Sequence, residues 1–312
     1  MKKVFEGSIA LCVLTVLIAT MCLEEKPIGK KTNVVIVTSI FPLYDIARAV
    51  GGDRADVSML LPPGVEAHTF EPRPSDVGRI ANADLFFYVG AGMEPWAQSL
   101  IDGADNEQLA VLDASSKVTL AESSPAPSGV EPEGNQGIDP HLWLDFTNDE
   151  KLADTVAAIL GQKDPKNAGY FSGNAEAYKK QLSELDLRYK ETLKNCKTRT
   201  FITGGHNAFT YLAGRYNLTG ISAYGLSPDS EPTPKTLTEI DNLVKEHGVK
   251  YILFEDIVSP KVAEAIAQDT GTKTLVFSPG ENLPKEDFDR GVTFISLMEK
   301  DLDTLNIALE CK

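Results

Sequence analysis

A single helical face in the middle of this chain constrains what can form on either side of it. In DPKNAGYFSGNAEAYKKQLSELDLRYKETLKN, the residues Phe171, Ala175, Tyr178, Leu182, Leu185 and Tyr189 step by four, three, four, three and four. That is the spacing of one apolar stripe on a helix. Asp164 is a candidate cap, and Pro165 suits the first helical position. About thirty residues at 1.5 Å each predict a helix of roughly 45 Å. Gly169 and Gly173 weaken its first turns, so two shorter helices with a break are the alternative. A stiff helical connection between two halves permits only small relative movements.

Each flank alternates strand and helix signals. Before the helix, VVIVT is a β-branched run, FPLYDIARAVGG has helical spacing with a glycine stop, and VSMLL ends at the turn Pro62-Pro63-Gly64. A helix opened by Ser75 follows in EPRPSDVGRIANAD, then the strand LFFYV and a weak fourth strand, AVLD. After the helix come the strand RTFIT, a loop and helix in GGHNAFTYLAGRYN, and the amphipathic TPKTLTEIDNLVKEHG. YILFE, SPKVAEAIAQDTG and KTLVF then supply strand, helix and strand. Such alternation argues for parallel α/β units. The expected fold is therefore two similar α/β lobes, each with a mainly parallel sheet, joined by one long rigid helix. The boundaries are a first lobe over 33–163, the linking helix over 164–196 and a second lobe over 197–312. Residues 122–140, ESSPAPSGVEPEGNQGIDP, read as a solvated surface loop.

The N-terminus reads as an address. Lys2 and Lys3 precede an apolar run of about seventeen residues, shorter than the twenty or so of a membrane span, and Glu24, Glu25 and Lys26 end it. Residues 1–22 are expected to be an export signal. Ala19-Thr20-Met21-Cys22 resembles a lipoprotein processing box, with Cys22 lipidated, although Met21 stands where a small residue is usual. An uncleaved anchor is the alternative, and either puts the remainder outside the cytoplasm. With Cys12 and Cys22 in that segment, Cys196 and Cys311 are left as a pair. An oxidising compartment favours a bridge between them over a metal-thiolate role. Closing so long a loop contributes roughly 4–5 kcal/mol by the chain-entropy account. The net charge of −15 repels a phosphate backbone, so nucleic acid is not an expected partner.

Only four histidines occur. His68 lies in PPGVEAHTFEP, His141 in DPHLWLD and His206 in ITGGHNAF, and all three read as strand-to-loop positions, where open α/β sheets present binding groups. One loop histidine is weak evidence, but three in like contexts suggest a metal, since neutral imidazole is a preferred ligand of zinc and other late first-row ions. His247, in KEHGVK, instead suits the C-terminal end of a helix.

The chain resembles the solute-binding proteins of zinc and manganese ABC transporters, the cluster A-I metal-binding family. The matching stretches are SIFPLYDIARAVGGD, LPPGVEAHTFEPRPSDVGRIANADLFFYVGAGMEPW, DPHLWLD, DPKNAGYFSGNAEAYKKQL, GGHNAF, GLSPDSEPTPKTLTEI and ILFEDIVSPKVAEAIA. They extend over nearly everything from residue 34 onward. The resemblance implies a metal held between the lobes, with His68 and His141 from the first and His206 from the second. Many relatives place an aspartate just after the last strand, where this chain has Ser278. A branch of the family resembles this arrangement and uses a glutamate three residues on, which is Glu281 here. A water in the fourth position, with Glu281 solvated, is the alternative. Glu255 matches a recurring family glutamate and is expected behind the ligands rather than among them.

Manganese-binding relatives usually carry glutamate at the third position, so His206 points to Zn2+. The expected function is the extracytoplasmic zinc-binding component of a high-affinity ABC transporter, a monomer that hands Zn2+ to a membrane permease. A manganese- or iron-binding homologue, and an adhesin or metal-storage protein of the same fold, are the alternatives. A zinc hydrolase with an open fourth position fits least, because neither HExxH nor GxSxG occurs and four protein ligands leave no place for a reacting water. No enzymatic activity is expected.

Overall fold

The run VVIVT gains a parallel neighbour on each side, which satisfies its backbone and buries both of its faces. A computed structural model describes residues 33–123, 137–228 and 232–312. The expected export signal with Cys22 and most of the 122–140 segment lie outside the described residues. The first half runs β1 (Val34–Thr38), α1 (Phe41–Gly51), β2 (Ala55–Met59), α2 (Pro74–Ala81), β3 (Leu85–Tyr88), α3 (Ala97–Ala104) and β4 (Ala110–Asp113). Its sheet has the order β2-β1-β3-β4, all parallel, with Ile36 opposite both Val57 and Leu85.

Two long helices follow, α4 (Phe146–Lys163) and α5 (Ala168–Thr192). The second half runs β5 (Thr200–Thr203), α6 (Thr210–Arg215), β6 (Thr219–Ser222), α7 (Pro234–His247), β7 (Tyr251–Phe254), α8 (Lys261–Thr270), β8 (Lys273–Val276), α9 (Lys285–Asp289) and α10 (Phe294–Ala308). Its sheet order, β6-β5-β7-β8, is again all parallel and repeats that of the first half. Two α/β lobes of one topology are therefore present, as the alternation predicts.

The central helix is unbroken despite Gly169 and Gly173. Its 25 residues span about 38 Å, and 3-10 turns at Pro165–Asn167 and Leu193–Asn195 extend it at both ends. The six residues of the predicted stripe are all buried. They pack against α1 and α4 on the first-lobe side and α10 on the other. α2 starts one residue before the expected Ser75. Pro74 takes the first helical position, and Asp76 reaches back to the Arg73 N–H at 2.8 Å. β6, α4, α9 and α10 are additional to the sequence reading.

The lobes are fused rather than tethered. One apolar core runs from Ile36, Leu43 and Phe87 through Phe146, Phe171 and Tyr189 to Phe201, Phe277, Phe294 and Leu305. Each sheet keeps a smaller cluster of its own on its other face, around Ile80, Phe86 and Leu100 in the first lobe and Ile240, Ile252 and Ile266 in the second. α10 closes the seam: the Phe294 N–H donates to Asp45 of α1 at 3.1 Å, and Tyr189 Oη of α5 donates to the Met298 carbonyl at 2.6 Å.

Cys196 and Cys311 form a disulfide across 115 residues. Beside it the Lys312 N–H bonds the Asn195 carbonyl at 3.1 Å, and the Lys197 N–H bonds that of Leu309 at 3.1 Å. The bridge thus pins the chain end that follows α10 to the foot of α5. Replacing both cysteines by serine is expected to lower unfolding stability by about 2–5 kcal/mol, read as an earlier urea midpoint, while metal binding persists.

Candidate metal centre

Four loops deliver four side chains to one point between the lobes. The first leaves β2 and turns at Gly64, whose φ of +81° favours glycine. Glu66 folds this loop by accepting the backbone N–H groups of His68 at 3.0 Å and Thr69 at 2.8 Å. His68 is the one member of the cluster in partial contact with solvent.

His141 does not follow one of the sheet strands, so the expected strand-to-loop position holds for His68 and His206 but not for His141. It sits just before the 3-10 turn Leu142–Leu144 that leads into α4. Its geometry comes from Asp139, whose Oδ1 lies 2.8 Å from the His141 backbone nitrogen and 2.7 Å from Nδ1. Sequence reasoning missed Asp139; an aspartate two residues before the histidine was the available signal.

His206 follows β5 after two glycines that admit no side chain. A Cβ on Gly204 would stand 2.6 Å from Ala263 Cα, and one on Gly205 only 2.0 Å from Glu255 Oε1. Glu255 comes from the end of β7 and lies 2.7 Å from the His206 backbone nitrogen and 2.9 Å from its Nδ1. It is buried behind the cluster.

Glu281 follows β8 by way of Gly280, whose φ is +73°. Ser278 is not in the cluster. Its hydroxyl bonds Asp256 at 3.1 Å and its N–H donates to Asp301 at 3.1 Å, so it shapes the loop. This loop is stitched to the first lobe. The Glu281 carbonyl accepts the first N–H of α1 at 3.0 Å, Asn282 donates to the carbonyls of Pro62 and Val65 at 2.8 Å each, and Trp143 Nε1 donates to the Pro279 carbonyl at 2.8 Å.

The ligand-type atoms of His68, His141, His206 and Glu281 all lie within 4.8 Å of one another. Glu281 Oε1 is 3.2 Å from His68 Nε2, 2.9 Å from His141 Nε2 and 3.0 Å from His206 Nε2. His141 Nε2 is 3.3 Å from that of His68 and 3.1 Å from that of His206. A tetrahedral zinc with bonds of about 2.0–2.1 Å has ligand–ligand edges near 3.3 Å. Five of the six edges here fall close to that value.

The family model for the periplasmic zinc-uptake complex component A matches residues 36–308. This chain belongs to that family. The high-affinity zinc uptake system protein ZnuA of Bacillus subtilis is 36% identical over 281 residues, which are 89% of this chain and 88% of that one. Zinc-binding lipoprotein AdcA of Streptococcus pneumoniae is 35% identical over 98% of this chain, which spans 60% of AdcA's length. The Zn(II)-bound ZnuA-like domain of that AdcA superposes with a TM-score of 0.75 at 35% identity, over 89% of this chain and all of the domain.

In this member of the zinc-uptake component family, the supporting carboxylates decide which ring nitrogens are free. A neutral imidazole has one ring proton. In His141 and His206 that proton belongs on Nδ1, where Asp139 and Glu255 accept it, so both Nε2 atoms present bare lone pairs. When both rings are neutral these lone pairs face each other and a carboxylate, with no proton to bridge them.

Charge reinforces this. Burial alone would lower the pKa of His206, yet Glu255 and Glu281 outweigh it and hold the value well above the ordinary one. His141 is likewise raised, burial being outweighed by Asp139 and Glu281. Burial would raise Glu281, but His206 and His68 hold it well below the usual carboxylate range. The cluster draws positive charge into a buried space, as protons or as a metal ion. Gly205→Ala is expected to displace Glu255, costing about 1–3 kcal/mol by overpacking and weakening metal binding with it, as read by melting with and without metal.

Proposed function

We propose that this chain captures Zn2+ outside the cytoplasm on His68, His141, His206 and Glu281 and hands it to the permease of an ABC zinc-uptake system. The observation that carries the reading is the meeting of two buried imidazole lone pairs and one carboxylate oxygen within 2.9–3.1 Å. Left bare, these groups repel; a divalent cation turns all three contacts attractive. Three neutral nitrogens and one carboxylate form the N3O set that zinc accepts in tetrahedral array, whereas manganese favours more oxygen.

Four protein ligands close the coordination sphere, so the site retains its ion and does not activate a water. The chain is accordingly a carrier and not an enzyme. The same reading takes it as a monomer without nucleic-acid partners, anchored at the membrane through a lipidated Cys22. The core shared by both lobes keeps closure small.

Competition against a chromophoric zinc chelator tests the ligand set. His206→Ala and Glu281→Gln should each weaken zinc binding at least about 100-fold, because each removes a direct ligand or its charge. Full affinity in His206→Ala would overturn the assignment. Zinc must also displace protons from His141 and His206, whose raised values keep them protonated above the ordinary histidine pKa of about 6.5. Zinc affinity should therefore fall as the pH is lowered, with the decline starting above pH 6.5, at up to about tenfold per pH unit for each proton displaced. Titrations at several pH values read the slope.

A further inference from the structure

α6 begins four residues after His206 and holds the segment that carries His141 at two places. Tyr211 Oη donates to the Asp139 carbonyl at 2.9 Å and accepts the Ala121 N–H at 3.0 Å. The Asp139 N–H in turn bonds the Ala121 carbonyl at 3.0 Å, and residues 122 and 138 pair beside it. One turn further along α6, Arg215 donates through Nη1 to Asp145 Oδ1 at 2.9 Å and through Nε to Asp186 Oδ1 of α5 at 2.6 Å. Asp145 caps α4, accepting the Thr147 N–H at 3.0 Å and the Thr147 hydroxyl at 2.8 Å. Residues 139–145 are thus fastened to α6 at both ends, with His141 between the fastenings.

Both fastenings cross from the second lobe to the first, and neither side chain belongs to the four-residue metal cluster. The Asp139 carboxylate directs the His141 ring, and the Asp139 backbone is what Tyr211 holds. Burial pushes the Tyr211 hydroxyl up to about 12, so it keeps its proton and stays a donor at physiological pH. Arg215 holds Asp186 down to about 2: burial opposes this, but donation from Arg215, Lys190 and Tyr216 outweighs it. The Arg215–Asp186 pair that anchors the second fastening therefore stays charged throughout the working range. The loop of His68 is held differently, by Asn282 and by the Gly64 N–H on the Leu283 carbonyl at 2.8 Å.

We propose that Tyr211 and Arg215 are positioning residues that couple the His141 segment to the helix following His206, holding the two Nε2 atoms at their ligand spacing and slowing zinc release. The proposal rests on the zinc-binding reading above. With the clamp intact, His141 cannot swing away without breaking a buried hydrogen bond and an ion pair in the other lobe. With Tyr211 loosened, Asp139 and the ring it directs gain freedom, and the ion escapes faster. Loss of a group that directs a ligand changes metal affinity by about 10–100-fold, and a residue acting one step further out should move it less.

The test is stopped-flow zinc release from the full chain into excess chelator, for wild type, Tyr211→Phe, Arg215→Lys, Asp139→Ala and Asp139→Ala with Tyr211→Phe. Tyr211→Phe should speed release about 3–10-fold, and Arg215→Lys by a smaller factor in the same direction. Asp139→Ala removes the carboxylate that directs the ring but keeps the carbonyl that Tyr211 holds, so Tyr211→Phe should still speed release in that background, by a smaller factor than in wild type. The gap between metal-bound and metal-free melting temperatures should narrow in both clamp variants, since a purely structural bond would lower the two temperatures equally. Unchanged release, effects that multiply in the double variant, or equal shifts of both melting temperatures would each overturn the clamp. A wild type that binds no zinc would instead sink the reading on which the clamp rests.

Discussion

The hydrogen bonds from His141 to Asp139 and from His206 to Glu255 settle which ring nitrogen is free, and the remaining geometry follows from that choice. With Nδ1 occupied, each Nε2 carries a lone pair aimed at the same point as Glu281 Oε1. Three acceptors at near-contact distance in a buried space repel unless positive charge enters, so the centre is poised to trade protons for a metal ion. The glycines before His206 serve this arrangement, because a side chain on Gly205 would occupy the place of the Glu255 carboxylate.

Holding such a cluster needs a scaffold that resists the repulsion when no metal is present. The shared core, with α10 packed across both lobes and a disulfide closing the foot of α5, supplies it. The loop of Glu281 belongs to the second lobe by chain order, yet its carbonyl completes the N-terminus of α1 and its neighbour Asn282 satisfies two carbonyls near His68. Backbone groups that must find partners thereby hold two ligand loops together without using the ligands themselves. The long helix is a strut inside one body, packed against helices of both halves.

Much of this was legible in the residues. The stripe on α5, the strand–helix alternation and the glycine and proline turns before the ligands are local patterns, and local patterns survive in a one-dimensional reading. β6 was missed because TGIS is short and carries a glycine, a weak strand signal. The α4 stretch FTNDEKLADTVAAILGQK offers a mixed helical pattern, whereas α10 buries one regular stripe, Phe294, Leu297, Met298, Leu302 and Leu305, interrupted by Asp301. Ser278 shows the limit of reading a site from residue types: it stands where a ligand is usual, yet its hydrogen bonds to Asp256 and Asp301 turn it to shaping the loop.

The sequence by itself determined most of the elements, their order and the histidines available for chemistry, because periodicity and turn chemistry act between residues a few positions apart. Tertiary structure alone decided that two sheets of the same order share one core, that Asp139 joins Glu255 in backing the imidazoles, and that α6 grips the His141 segment from the other lobe. These contacts join residues from two to more than two hundred positions apart. Their geometry depends on how the sheets and α5 stack, which no stretch of sequence encodes locally.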